Sequence, residues 1–407
     1  MKVLILSIGN ELLSGRTLNT NATWLGRELT SVGCVVKTQI VVPDDKSSIM
    51  TILDELIDQD KKECLLLTGG LGPTDDDVTR ESLFEFVGSD SKFDSEYWNH
   101  LSYRFDKFGM AIPESNRNQA LVPLDGDIID NPIGSARGFK FIMGQTVLIS
   151  LPGVPSEMKA MARASVLPWL KVRSKQEVHS MTICTTGIPE SALIEKIRIP
   201  IQNDHGCEVG YYPSLFGVDI RINSNDNSAK EFLVKEITSL LGDNVFAMDN
   251  NKLEDAVVKL ALEQNISLSF AESCTGGLIG HRVTEVSGSS KVFKGSAVVY
   301  CNNSKIDILG VNKDSIEKYG AVSEQTAKEM AEKVRLMFSS DIGLSVTGIA
   351  GPGGGTDDKP VGLVYIGFSS ADKIMVREFN LGSGRSKNKL RTSQVALNLL
   401  RLEMDNV

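Results

Sequence analysis

Residues 271–277 read Ala-Glu-Ser-Cys-Thr-Gly-Gly and come directly off an apolar run that ends at Phe270. A hydroxyl and a thiol, Ser273 and Cys274, stand side by side where a strand is expected to hand over to a helix. At such a junction the helix N-terminus lowers the pKa of an attacking group, and free backbone N–H groups can hold an oxyanion. Either side chain still needs a base to become a nucleophile. The bland alternative makes Ser273 a helix cap and leaves Cys274 buried in the core.

Histidine does not supply that base. His281 lies further along the same helix, ~12 Å away by helical rise, and His100, His179 and His205 fall in earlier regions. A lysine of depressed pKa is the remaining common solution. Lys291, Lys294 and Lys305 are all within reach, and residue types and spacing do not choose among them. Nor do they choose between Ser273 and Cys274.

A second group of candidates lies in Thr68-Gly-Gly-Leu-Gly-Pro-Thr-Asp-Asp-Asp-Val-Thr-Arg-Glu81. Gly69 and Gly70 follow an apolar strand and precede a helical stretch, Val78 to Val87, so backbone N–H groups there can cradle a phosphate. Asp75, Asp76 and Asp77 would repel a bare anion at that spot. A divalent cation bridging Asp76, Asp77 and phosphate oxygens removes the conflict, with Glu11 converging from a neighbouring strand end. The competing reading is an Asp run that only caps a helix. A third glycine-rich loop, Ser345 to Gly362, also follows a strand and fits a phosphate or ribose.

The elements that must position these groups alternate. Val3–Ile8, Cys34–Val42 and Glu63–Thr68 read as strands, separated by a helix with Leu18, Ala22, Leu25, Leu29 and Val32 on one face and another with Ile49, Ile52, Leu53, Leu56 and Ile57 inward. Short connections between alternating strands and helices predict a parallel sheet covered on both faces, with ligands at the carboxyl ends of its strands. Glu157, in a Pro/Gly turn leading to a helix, is expected near those ends. From about residue 171 the pattern changes to β-like runs around a turn and an amphipathic helix closing at Gly242, a small α+β middle domain. Residues 246–255 read as a polar linker, after which alternation resumes. The fold class is α/β: two three-layer α/β domains with mostly parallel sheets, at 1–170 and 251–407, joined by the middle domain at 171–250.

A net charge of −9 argues against a general phosphate-backbone binder, so direct nucleic-acid binding is not expected. The six cysteines form no C-x-x-C pair, which suggests neither a disulfide framework nor a zinc knuckle and fits a reducing cytosol. The start, Met-Lys-Val-Leu-Ile-Leu, turns polar at Asn10-Glu11 too early for a signal peptide and reads as a first strand. No apolar run is long enough to span a membrane. A cytoplasmic location follows as an expectation.

GNELLSGRTLNTNA, LLLTGGLGPTDDDVTRE, NRNQALVP, NPIGSARGF and LPGVPSEMKAM, in that order, resemble the N-terminal domain of the CinA family (competence/damage-inducible protein A). That domain is similar to the molybdopterin-binding MoaB/MogA fold. The resemblance implies a metal-dependent ADP-ribose pyrophosphatase that uses Mg2+ or a similar ion, with Gly69, Gly70 and Thr74 contacting the ligand. The family usually shows Thr where Asn10 stands and often Lys where Asp75 stands. AESCTGGLIGHRVTEVSGSSKVFKGSAVVYCNNSKIDILGV, YGAVSEQTAKEMA and VTGIAGPGGGTDDKPVG resemble the family's C-terminal domain, known alone as PncC, the nicotinamide mononucleotide amidohydrolase.

The resemblance implies a nucleophile at Ser273, a lysine partner at Lys305 and Tyr300 completing the catalytic group. It also implies a pocket shaped by Cys274, Thr275, Gly276, Thr347 and Gly348, with Arg385 or Arg391 neutralising the nucleotide phosphate. The deamidase needs no cofactor on this reading. Nicotinamide mononucleotide and ADP-ribose are the expected small-molecule partners, and a homodimer is expected. The alternative keeps the N-terminal domain as a non-catalytic molybdopterin- or nucleotide-binding regulatory module.

Overall fold

The computed structural model describes residues 1–57, 61, 63–174, 178–203, 205–249, 251–382 and 384–404. They form two compact units, Met1–His179 and Ser180–Val407. In the first, strands β1 (Lys2–Ile8), β2 (Val35–Val42) and β3 (Glu63–Thr68) are followed by a short ribbon of β4 (Ser91–Phe93) and β5 (Leu121–Pro123), then by β6 (Asp127–Ile129), β7 (Gly138–Met143) and β8 (Thr146–Leu151). The main sheet runs β2-β1-β3-β8-β7-β6. Its first four strands are parallel, and β7 and β6 turn antiparallel.

Alternation along β1 explains the layering. Val3 and Ile5 pack on one face with Leu25, Leu29 and Met158, while Leu4, Leu6 and Ile8 pack on the other with Ile49, Leu53 and Leu83. Two buried faces make each parallel strand an unbroken apolar run. The first helix spans Thr20–Ser31 and is capped by Asn19, whose side chain accepts from Ala22 N. Leu18, expected on its inner face, precedes the cap and is 82% exposed. Once Asn19 caps the helix, the 3.6-residue period no longer applies upstream.

The second unit begins with β9 (His179–Thr185), β10 (Cys207–Pro213), β11 (Val218–Ser224) and β12 (Val245–Met248), in the order β10-β11-β9-β12. The helices Glu190–Gln202 and Asn227–Leu241 contribute Leu193, Ile197, Leu233 and Ile237 to its core. Residues 246–255, expected to be a polar linker, are largely structured. Phe246 to Met248 belong to β12, and the next helix starts at Leu253.

The remaining strands are β13 (Leu268–Glu272), β14 (Phe293–Val298), β15 (Ile342–Gly348), β16 (Leu363–Ser369) and β17 (Ile374–Asn380), ordered β14-β13-β15-β16-β17. The β14–β13 and β13–β15 pairings are parallel and the β15–β16 and β16–β17 pairings antiparallel, so this sheet is mixed rather than mostly parallel. The helices Leu253–Gln264, Leu278–Thr284 and Arg385–Met404 cover one face through Val257, Ile279 and Leu397. The Glu324–Phe338 helix covers the other through Met330 and Val334. No helix among the described residues is long and apolar enough to cross a membrane.

Candidate active site

The parallel part of the C-terminal sheet delivers Ser273. It follows β13 directly, and its backbone N–H continues the ladder to Val346 O at 3.0 Å. The chain then turns at Gly276 and Gly277, with φ of 63° and 90°, a left-handed pair that only glycine adopts without cost. The Gly276 N–H closes that turn on Ser273 O at 3.0 Å.

The neighbouring strand delivers Lys305. Val299 N donates to Glu272 O at 2.9 Å, extending the β13–β14 ladder to the point where the chain enters the Asn302–Asp307 helix. Lys305 on that helix is 1% exposed. Its Nζ lies 2.9 Å from Ser273 Oγ, 2.8 Å from Val299 O and 3.4 Å from Tyr300 O. Burial holds the Lys305 amine below the ordinary lysine value, partly offset by the nearby Cys301 and Cys274 thiols.

Such an amine suits a general base. When neutral it keeps two hydrogens for the carbonyls of Val299 and Tyr300, which aims the lone pair at the Ser273 hydroxyl. Cys274 faces the opposite situation. It is buried in the core cluster with Phe270 and Ile279, and desolvation pushes its thiol up to about 12. A thiol so buried is inert near neutral pH.

The bland alternative for this junction is half excluded. Ser273 is not the helix cap, because the helix starts at Leu278 with Gly277 before it. Two of the amides at the helix start are already engaged. Ile279 N and Gly280 N donate to the two carboxylate oxygens of fully buried Glu272 at 3.0 and 2.8 Å, and Ser296 Oγ donates to it at 3.0 Å. Two residues past Ser273, the Thr275 hydroxyl is fully buried without a hydrogen-bond partner.

The rest of the expected group is dispersed around this pair. Tyr300 touches Lys305 through its carbonyl only. Its phenol accepts from Arg385 Nη2 at 2.6 Å, while Arg385 Nη1 donates to Gly351 O at 3.0 Å. Arg391 donates to Leu381 O at 3.3 Å. Thr347 is buried with its hydroxyl given to Ala321 O at 2.7 Å, and Gly348 is packed so closely on Leu363 and Val364 that a Cβ would collide. Thr347 therefore has its hydroxyl proton committed, and Gly348 has no room for a side chain.

Two site residues went unmarked in the sequence. Glu272 sits one position before the nucleophile and locks the helix behind it. Lys389 has its Nζ 3.6 Å from where a Cβ of Gly276 would stand, which adds a second cation to the rim made by Arg385. Its signal was available, since it recurs four residues after Arg385 on one helical face.

In the N-terminal unit, Gly69 and Gly70 both have positive φ, and Gly69 lies against Ile8 O and Gly153. Within the Asp run, Asp77 braces its own loop and caps no helix, since the Thr79–Val87 helix has no side-chain cap. Thr74 N donates to Asp77 Oδ2 at 2.9 Å, as does the Thr74 hydroxyl, whereas Asp76 and Glu11 are exposed. Among the described residues no three His, Cys, Asp or Glu side chains gather to hold a metal ion, so Glu11, Asp76 and Asp77 do not form the expected centre. Glu157 accepts from Asn131 Nδ2 at 2.6 Å and fixes the 131–134 turn. The same unit carries buried, unpartnered donors that the sequence did not single out: Thr79 Oγ1, Arg80 Nε, and Arg137 Nε and Nη2.

The chain matches three families in series. Residues 4–172 match the family described as a probable molybdopterin binding domain, 180–247 the damage-inducible protein CinA KH domain, and 250–404 the CinA C-terminal domain. A competence-damage inducible protein homologue from Thermoanaerobacter pseudethanolicus is 38% identical over 407 residues, covering 98% of both chains.

The chain belongs to the CinA family.

A CinA-like protein of Dictyoglomus thermophilum is 39% identical over the full length of both chains. Among solved structures, the competence/damage inducible protein CihA from Agrobacterium tumefaciens is 38% identical, with a TM-score of 0.37 over 38% of this chain and 93% of its own.

Proposed function

We propose that the C-terminal domain of this CinA protein is a serine hydrolase with a lysine base, acting on the carboxamide of nicotinamide mononucleotide to release nicotinate mononucleotide and ammonia. The observation that carries this reading is the buried contact of 2.9 Å between Lys305 Nζ and Ser273 Oγ. Ser273 attacks the amide carbon as Lys305 takes its proton, and Lys305 then hands that proton to the departing nitrogen. Water hydrolyses the resulting ester by the same base. On this reading the partnerless Thr275 hydroxyl turns to the substrate carbonyl as it is bound, and Arg385 with Lys389 supplies the charge that a phosphate needs. The test is ammonia release from nicotinamide mononucleotide by the purified chain. Retained turnover in Ser273→Ala sinks the mechanism.

For the N-terminal domain, ADP-ribose pyrophosphate hydrolysis with a divalent ion is what the family resemblance implies. Its carboxylates do not fit a metal centre as they stand, and no cleavage step is derived from them. The unpartnered donors of Thr79, Arg80 and Arg137 favour a second reading, a module that binds an anionic nucleotide or molybdopterin without turnover. Hydrolysis of ADP-ribose on adding Mg2+ or Mn2+ overturns the binding-module reading.

A further inference from the structure

Behind the nucleophile loop lies a cavity of about 500 Å³, within the range of small-molecule sites. It is walled on one side by β9–β12 and on the other by the helices Leu278–Thr284 and Arg385–Met404. Its walls are largely apolar, with the rings of Phe216 and Phe246 and the side chains of Leu253, Leu278 and Leu390. A cavity lined in this way, with a few polar groups among apolar ones, binds ligands by shape and orients them by the polar groups.

The polar groups fall into two sets. The first is already satisfied: Arg282 pairs with Glu254 at 2.6 Å, donates to Ser393 Oγ and Gln394 Oε1 at 2.9 and 2.8 Å, and lies over the Phe216 ring. Gln394 in turn donates to Thr186 Oγ1 and Phe216 O. This network rigidifies the floor and leaves little for a ligand to bond.

The second is Asp219 on β11. Its carboxyl takes a hydrogen bond from the Cys184 thiol, and no lysine or arginine among the described residues pairs with it. Burial pushes it above the usual carboxylate range, with the Cys184 bond acting against the shift. A half-buried carboxyl in that state gains most from a neutral or cationic N–H donor.

The flanking charges agree. His281, Lys252 and Glu285 stand at the exposed rim and offer no concentrated positive field for a phosphate. The glycines of residues 180–247 are Gly187, Gly206, Gly210, Gly217 and Gly242, so no pair has the three-residue spacing that clamps a nucleotide backbone in KH domains. A free small molecule fits these features better than a nucleic-acid strand.

We propose that this cavity is a second ligand site, distinct from the Ser273 site, for a flat nitrogen heteroaromatic of nucleobase size that donates an N–H to Asp219. Phe216 and Phe246 supply aromatic contact to the ring, and Asp219 reads its polar edge. The Leu278–Thr284 helix separates this site from the Ser273–Gly277 turn, so occupancy stiffens the element on which the nucleophile turn rests.

Calorimetric titration of the full chain with adenosine, and with purine riboside lacking the exocyclic amine, tests the site. Adenosine is expected to bind the wild type and to lose about tenfold or more in affinity in Asp219→Asn, the loss of one charge-assisted hydrogen bond. Asn251→Trp, at the exposed rim, is expected to block binding, and purine riboside to bind wild type and Asp219→Asn equally weakly. Amide exchange over 278–285 should slow with adenosine in the wild type only. Equal adenosine affinity in wild type and both variants, no binding at about 1 mM, or binding only within an oligonucleotide overturns the proposal. Because the readout is binding, it stands whether or not Ser273 hydrolyses an amide.

Discussion

Lys305 Nζ is 2.9 Å from Ser273 Oγ although the two residues are 32 positions apart, and both are buried. Adjacent parallel strands bring them together, and two backbone carbonyls orient the amine. The consequences for pH follow from the direction of its shift. A base works only when unprotonated, so kcat/KM should rise with pH through the Lys305 pKa. Burial depresses that pKa, so the rise lies below the 10.5 of an ordinary lysine. Lys305→Met should remove the limb and cost about 10³-fold in kcat. The check is a pH profile of ammonia release from nicotinamide mononucleotide.

The two cysteines nearest the site should behave in opposite ways. Cys274 is buried with its thiol pushed up to about 12, whereas exposed Cys301 has its thiol lowered by hydrogen bonds from Ser304. Iodoacetamide at neutral pH should alkylate Cys301 first and leave Cys274 untouched until the chain unfolds. Peptide mass spectrometry reads this directly. Cys274→Ala should reduce stability by about 1–2 kcal/mol through lost packing while keeping kcat within a few-fold.

Thr275→Val separates a ligand contact from a structural one. The Thr275 hydroxyl has no partner to lose, so urea unfolding should give unchanged or slightly raised stability. Turnover should nonetheless fall by about ten- to a hundredfold in kcat/KM, because the substrate carbonyl loses its donor. A stability loss with unchanged kinetics would contradict this role.

Arg385→Ala should raise KM for nicotinamide mononucleotide by about ten- to a hundredfold and leave that for the unphosphorylated riboside unchanged. Tyr300→Phe provides the comparison. Its phenol holds Arg385 and does not reach Ser273 or Lys305 in the observed contacts. The variant should therefore move KM more than kcat. A collapse of kcat with KM unchanged would restore Tyr300 to the catalytic group.

Much of this protein was legible along the chain because its governing interactions are local or periodic. Apolar runs and 3.6-residue faces located β1, β3, β13 and most helices. What local pattern misses is direction and partnership. Alternation in the C-terminal part suggested a mostly parallel sheet, but pairing with β15 makes β16 antiparallel. Phe246 to Met248 looked like linker because their partner, β9, lies about 60 residues back in the chain.

The same division runs through the site. By itself the sequence placed a candidate nucleophile, Ser273 or Cys274, at a strand-to-helix junction and put His281 out of its reach by helical rise. The tertiary structure decided which lysine meets it, because Lys291, Lys294 and Lys305 differ only in what the β13–β14 pairing brings within hydrogen-bond reach. It decided against Cys274 through burial, which raises a thiol that sequence alone cannot show to be desolvated. It also gave two of the helix-start amides to Glu272 and left Glu11, Asp76 and Asp77 apart. Those outcomes depend on distances between distant segments, and such distances are set by packing.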